Sequence, residues 1–399
     1  MRILQFTATT SPSIYQGSCL LDNAHASELI RQGHEVTLVP LFSTPRTDET
    51  SAAQTRVFFR SNPLDRYWPP ASGSPQKRAA ALLRGSSGEL KKEFTKLADW
   101  LSRQPPPDLA ILPSALLISL AEPIKRIFNC PVCCRLQGED LFLESLPEPS
   151  RTECLNLIRR QTLQIDRFLS TSRFYARLMS SYFDIPKSLL EVHPPGINIA
   201  GGEAQPRVDP PKSPKTPIKI GYFARICPEK GLHILAEAVA ILTREFPNLE
   251  MSAAGSLAPE HRTYLTECHR MATFVYQGQL TRACKFDFLR SIDLTCVPSP
   301  YADPKGLYAL ESLAVGTPIA APAHGVFPEI VDAIGGGGIL YPRSDPRDIA
   351  LQLAELIRRP ARLREFGDSA APQVRRLYSI EASVRRAVET YTALIKSER

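Results

Sequence analysis

Residues 298–331, PSPYADPKGLYALESLAVGTPIAAPAHGVFPEIV, constrain the fold more than any other stretch. An apolar strand ends at Val297, and a loop broken by Pro300 and Pro304 follows. A helix then opens at Gly306, with Leu307, Leu310, Leu313 and Ala314 at helical spacing as its buried stripe. Gly316 and Pro318 stop it, and 319–321 begins the next strand. Strand, loop, helix and strand in that order make a parallel α/β unit. Such sheets bind ligands where a strand hands over to a helix. The helix start presents N–H groups and a positive dipole end that suit an anion. Asp303 in the loop and Glu311 one turn into the helix are carboxylates beside that anion site. They make sense if the ligand carries hydroxyls on either side of its phosphates, as a nucleotide sugar does.

The same alternation opens the chain. Residues 2–6 read as a strand, 20–32 as a helix ended by Gly33, and 34–41 as a second strand. A strand is also expected at 56–60, inside a Pro- and Ser-rich excursion over 40–75. Helices are expected over 153–165 and 363–369. Residues 200–217 hold almost no large apolar side chain, which is a linker composition. The expected organisation is a first Rossmann-like domain at 1–198, a Pro-rich linker at 199–217, a second Rossmann-like domain at 218–377 and a last helix at 378–399. In the second domain, Arg225 and Lys230 flank the turn into a helix at 232–246. Two cations at a helix N-terminus oppose its dipole. They are explained if a more highly charged anion lies between them.

These motifs resemble the retaining glycosyltransferases of family 4, which have the GT-B fold. Asp303 and Glu311 are separated by seven residues, as in that family's acidic pair, and Gly316, Pro318, Pro328 and Glu329 follow in the family's order. The family usually has Glu where this chain has Asp303. The loop from Arg225 to Gly231 resembles the family's "GR…KG" motif, and Gly33 to Thr37 carries its "GHEVT" phrase. The resemblance implies two Rossmann-like domains facing each other across a deep cleft, with the last helix crossing back to the first. It implies transfer of a sugar from a nucleotide-diphospho-sugar to an acceptor hydroxyl with retained configuration. Arg225, Lys230 and the N–H groups of Gly306 and Leu307 would hold the diphosphate. Glu311 would hold the ribose, and Asp303 the hydroxyls of the transferred sugar. Gly17 stands where the family has a Gly-Gly turn over the donor phosphates, and Gly278 ends a strand near which a nucleobase lies in this fold. Gln137 replaces a His frequent in the family beside the donor sugar, and Glu139 and Asp140 become candidates for acceptor contacts. No cofactor or metal is expected, because the two cations take the place of a divalent ion.

Composition narrows the alternatives. The net charge of +7 over 399 residues is modest, and no basic domain stands out, which argues against nucleic acid as a partner. A basic run, Lys77, Arg78, Arg84, Lys91, Lys92 and Lys96, is either a solvated helix face or a contact with anionic lipid. No apolar run reaches the length of a membrane span, and the start lacks a signal-peptide core. The expectation is a cytoplasmic protein, peripheral at most to a membrane's inner face. Cys130 and Cys133 are expected to be reduced, without a metal. The acceptor, whether glycan, lipid or small molecule, is open. So are an epimerase or phosphorylase on the same fold and a non-catalytic nucleotide-sugar-binding scaffold.

Overall fold

The computed structural model describes residues 1–7, 16–41, 75–199 and 217–397. The strand expected at 56–60 and nearly all of the expected linker lie outside these residues. The chain divides into two compact units, Met1–Gly196 with Ile380–Arg399, and Ile197–Ser379.

The first unit contains a six-stranded parallel sheet. Its strands are β1 (Arg2–Thr7), β2 (Glu35–Pro40), β3 (Leu109–Leu112), β4 (Val132–Leu136), β5 (Arg167–Ser170) and β6 (Leu190–Val192), in the order β2-β1-β3-β4-β5-β6. All four residues of β3 are buried, as a parallel strand covered on both faces requires. One face packs under the helix Ile380–Ser397. Its Ile380, Val384, Ala387, Tyr391 and Leu394 recur every three or four residues and share a core with Ile3, Leu29, Ile111, Cys133 and Leu169. Cys130 and Cys133 are buried unpaired thiols, and burial pushes Cys130 up to about 11.

The second unit repeats the plan with β7 (Lys219–Phe223), β8 (Glu250–Ala254), β9 (Val275–Tyr276), β10 (Leu294–Cys296), β11 (Ile319–Pro322) and β12 (Gly338–Tyr341), in the order β12-β11-β10-β7-β8-β9. The helix Leu232–Leu242 is apolar almost all round, and seven of its eleven residues are buried. Such a helix must be covered on two sides. Here the sheet and the helix Pro346–Ile357 do so. Truncating its fully buried Leu235 to Ala would cost about 2–5 kcal/mol.

Four helices differ from expectation, the one expected at 232–246 stopping at Leu242. The first runs over Gln16–Arg31, so Gly17 lies in its first turn rather than in a turn before it. The helix expected over 153–165 stops at Arg159. The Thr162 hydroxyl and the Gln161 amide donate to the carbonyls of Arg159 and Leu157, taking over acceptors that the helix end leaves open. The helix Pro360–Tyr378 runs straight through Pro372, although proline lacks the N–H a helix interior uses.

Candidate functional site

The second sheet changes direction between β7 and β10: β8 and β9 lie on one side, β11 and β12 on the other. In a parallel sheet the C-terminal ends of the two strands at such a switch leave a crevice. The loops after β7 and β10 meet there. Gly231, at φ +73°, lets them touch, since a Cβ on it would lie 2.0 Å from the Pro298 carbonyl oxygen. The Ser299 hydroxyl lies 2.8 Å from the carbonyl oxygens of both Glu229 and Tyr301 and shares its single hydrogen between them. The buried Tyr222 phenol donates to the Arg225 carbonyl at 2.9 Å, and the Ile226 N–H donates to Ser256 at 2.9 Å. The backbone that carries Arg225 and Lys230 is therefore fixed.

Lys230 and Asp303, far apart in sequence, form an ion pair across these loops with Nζ 2.5 Å from Oδ2. The ammonium also stands over the Tyr301 ring, 5.7 Å from its centre. The other carboxylate oxygen, Oδ1, accepts the backbone N–H groups of Lys305 (2.9 Å) and Gly306 (3.0 Å). Burial opposes the ionisation of Asp303. The Lys230 ammonium and the backbone donors outweigh burial and hold the carboxyl well below its usual range. The loop after β11 closes on the same residue: Val326 N–H donates to the Asp303 carbonyl at 3.0 Å, and a Cβ on Gly325 would lie 2.8 Å from that oxygen.

This geometry gives two of the expected site groups partners within the protein. The Gly306 N–H, expected to face a diphosphate, is occupied by Asp303. Asp303, expected to hold sugar hydroxyls, turns one oxygen to the N–H groups of its own loop and the other to Lys230. The short Asp side chain suits that task, because an Asp carboxylate bonds backbone N–H groups two and three residues further along its own turn.

Helix Leu307–Ala314 buries Tyr308, Ala309, Leu310, Ser312, Leu313 and Ala314. Leu307 and Glu311, one turn apart, are only partly buried and share its remaining face. Glu311 Oε1 accepts from Lys285 Nζ at 2.8 Å, and Lys285 comes from the helix Arg282–Ser291. Nothing in the local pattern singles out Lys285, which sits on an otherwise ordinary helix. Gly278, two residues beyond β9, has φ +76°, and its carbonyl accepts Gly255 N–H at 2.9 Å. A Cβ there would meet nothing within 4 Å, so the positive φ alone explains the glycine.

In the first unit Gln137, Glu139 and Asp140 also come together, with Gln137 and Glu139 buried and Asp140 partly buried. Gln137 Nε2 lies 3.1 Å from the Pro113 carbonyl and 3.3 Å from Asp22 Oδ1. Buried Glu139 accepts from the N–H groups of Gln137 (2.8 Å), Gly138 (3.0 Å) and Ala115 (3.3 Å), and lies 3.0 Å from the Tyr175 hydroxyl. That hydroxyl lies 2.7 Å from Asp140 and accepts Gly138 N–H. Burial raises the Glu139 carboxyl above its usual value, although its hydrogen bonds pull the other way. Glu139 thus staples the β4 loop. Arg135, paired with Asp22 at 3.0 Å, joins this network. A cavity of about 50 Å³ beside Arg135, Gln137 and His193 is lined by first-unit residues only. Tyr175 and Arg135 carry no local motif and become visible only through these contacts.

Two family models match the chain: a glycosyl transferase 4-like domain over residues 23–196 and glycosyl transferases group 1 over residues 207–373. Among curated proteins it is 27% identical over 242 residues to a D-inositol 3-phosphate glycosyltransferase of Segniliparus rotundus, covering 58% of this chain and 53% of that one. It is 30% identical over 189 residues to D-inositol 3-phosphate glycosyltransferase 2 of Catenulispora acidiphila, covering 45% and 44%. The chain thus spans about half the length of these relatives. Among solved structures, sucrose-phosphate synthase from Thermosynechococcus elongatus superposes with a TM-score of 0.76 at 18% identity, over 99% of both chains. Anabaena HepE in complex with UDP and glucose superposes with a TM-score of 0.69 at 16% identity, over 99% of this chain and 100% of that one. The chain has the GT-B fold, with a glycosyl transferase 4-like match within its first unit and a glycosyl transferases group 1 match within its second.

Proposed function

We propose that this protein is a retaining glycosyltransferase that moves a sugar from a nucleotide-diphospho-sugar to an acceptor hydroxyl without a metal. The observation that carries the reading is the convergence of Lys230, Asp303 and the Arg225 backbone at the switch point of the second sheet. The UDP and glucose in Anabaena HepE and the names of the curated relatives support it.

The leaving diphosphate gains negative charge in the transition state. Arg225, Lys230 and the Leu307 N–H at the helix start meet that charge from fixed positions, and such preorganised stabilisation is often the largest catalytic term. Lys230 forms one hydrogen bond to Asp303 and has two further N–H groups for phosphate oxygens. Asp303 therefore positions Lys230 and the loop. Glu311 takes the ribose hydroxyls. No side chain needs to act as nucleophile if the departing phosphate accepts the acceptor's proton on the same face. The two cations do the work that a divalent ion does elsewhere, and the reaction runs in EDTA. Transfer assays with a panel of nucleotide sugars, each with EDTA and with Mg²⁺, test this. Transfer that persists in EDTA with retained anomeric configuration is expected. Activity lost on chelation and restored by Mg²⁺ would refute the metal-free mechanism. No described helix is long and apolar enough to cross a membrane. The exposed Lys91, Lys92 and Lys96 remain a candidate lipid-facing edge, tested by sedimentation with anionic vesicles.

A further inference from the structure

We propose that Tyr264 is a positioning residue for the diphosphate loop, fixing Arg225 and Lys230 by closing the start of the helix that follows them. This rests on the nucleotide-sugar reading above and adds to it a residue from outside the loop. The loop after β7 is gripped from both neighbouring strands. On the β10 side, the Ser299 hydroxyl and the close approach of Gly231 to Pro298 hold it. On the β8 side it is tied at two points. Ile226 N–H donates to the Ser256 carbonyl at 2.9 Å. Further along, His233 N–H donates to the Tyr264 hydroxyl oxygen at 3.1 Å. Lys230 lies between the two ties, and Arg225 immediately before the first.

Tyr264 reaches the loop from the helix Arg262–Met271, which follows β8. A helix leaves its first N–H groups without acceptors of its own. The helix Leu232–Leu242 begins after Gly231, which has no side chain to cap it. The Tyr264 oxygen supplies the missing acceptor for His233, the second residue of that helix. The same oxygen lies 2.8 Å from His233 Nδ1. Having accepted the N–H, the phenol keeps its one hydrogen for that nitrogen. Burial holds the His233 imidazole below its ordinary value, so the ring is neutral at about pH 7 and accepts that hydrogen. Tyr264 thus ties both the backbone and the side chain of His233, with the two rings edge to face, 5.6 Å between centres. It also withdraws His233 N–H from any ligand, which leaves more of the diphosphate's charge to Arg225 and Lys230. Cations that meet a developing charge act from fixed positions, and a misplacement of about 1 Å can cost about 10²-fold. Losing the phenol frees the helix start and, next to it, Lys230.

Calorimetric titration at neutral pH tests the idea with UDP, ADP and GDP and the matching monophosphates. The proteins are the full-length wild type, Tyr264→Phe, His233→Leu and His233→Asn. The readout is the ratio of monophosphate to diphosphate Kd, because a general loosening of the fold would weaken both nucleotides alike. The wild type is expected to bind its preferred diphosphate at least about tenfold more tightly than the monophosphate. Tyr264→Phe should reduce that ratio to below about threefold, mainly by weakening the diphosphate. His233→Leu removes the acceptor of the phenol's hydrogen and should fall between the two. His233→Asn places an amide oxygen where Nδ1 stood and should recover most of the wild-type ratio. If Tyr264→Phe does not fold, the contrast between the two His233 variants decides. A Tyr264→Phe ratio equal to that of wild type, or His233 variants that do not differ, overturns the proposal while the nucleotide reading stands. A wild type that binds none of these nucleotides, or that does not prefer the diphosphate, overturns the reading itself and the proposal with it.

Discussion

The two units place charged residues at the C-terminal edges of similar parallel sheets but treat them in opposite ways. In the first, Glu139 is ringed by three backbone N–H groups and a phenol. Its energy goes into holding the loop after β4. In the second, Lys230 and Lys285 each pair with one carboxylate and have N–H groups left for a ligand. An acidic residue in a βα loop is therefore no sign of a site by itself. What matters is how much of its hydrogen-bonding capacity the fold has already consumed.

The sharpest break between the units should come from the cations. Arg225→Ala and Lys230→Ala are each expected to lower turnover about 10²–10³-fold, equivalent to about 2.7–4 kcal/mol of transition-state stabilisation. Steady-state rates at saturating donor check this, and near-normal rates in both would remove the diphosphate role. Glu139→Ala should act on stability instead. Leaving its donors without an acceptor should cost about 3 kcal/mol, or about 6–12 °C in Tm for a unit of this size. A melt close to wild type would show that Glu139 is not the staple described.

Asp303→Asn should be intermediate. The amide oxygen still accepts from Lys305 and Gly306, but the charge that holds Lys230 is gone. Turnover should fall about tenfold with donor KM nearly unchanged. A parent-like rate would mean that Lys230 needs no anchor.

The smallest effect is also the most diagnostic, because its sign differs between the units. Asp303 has a lowered carboxyl, so its contribution is complete above the unfolded value near about 3.9 and is lost as pH falls below it. The stability advantage of wild type over Asp303→Asn should narrow below about pH 4. Glu139 has a raised carboxyl, so its charged form is penalised at neutral pH and acid relieves the penalty. The advantage of wild type over Glu139→Gln should grow as pH falls from 7 toward about 4. Melting curves across this range read both, and equal signs would erase the distinction.

The alternation of strands and helices was legible because buried parallel strands and helix stripes leave periodic patterns. Ser172, whose hydroxyl accepts Tyr175 N–H at 3.1 Å, caps the helix Arg173–Tyr182 in an equally local way. The Asp303–Glu311 loop stood out because its punctuation by glycine and proline is dense. Its internal wiring did not, since nothing in the order of residues says that Asp303 turns to Lys305, Gly306 and Lys230 rather than outward. Lys285 and Tyr175 were invisible because their partners are 26 and 36 residues away in sequence. The helix expected over 363–369 extends at both ends, and it continues past Pro372, where a proline usually ends a helix.

The most direct test of the central claim is a thermal-shift titration of the wild type in EDTA with UDP, ADP and GDP and their sugars. A ligand at one hundred times its Kd stabilises the folded state by about 2.7 kcal/mol. The account predicts such a shift for at least one nucleoside diphosphate, and its loss in Lys230→Ala. No shift with any nucleotide, or a shift that Lys230→Ala leaves intact, would contradict it.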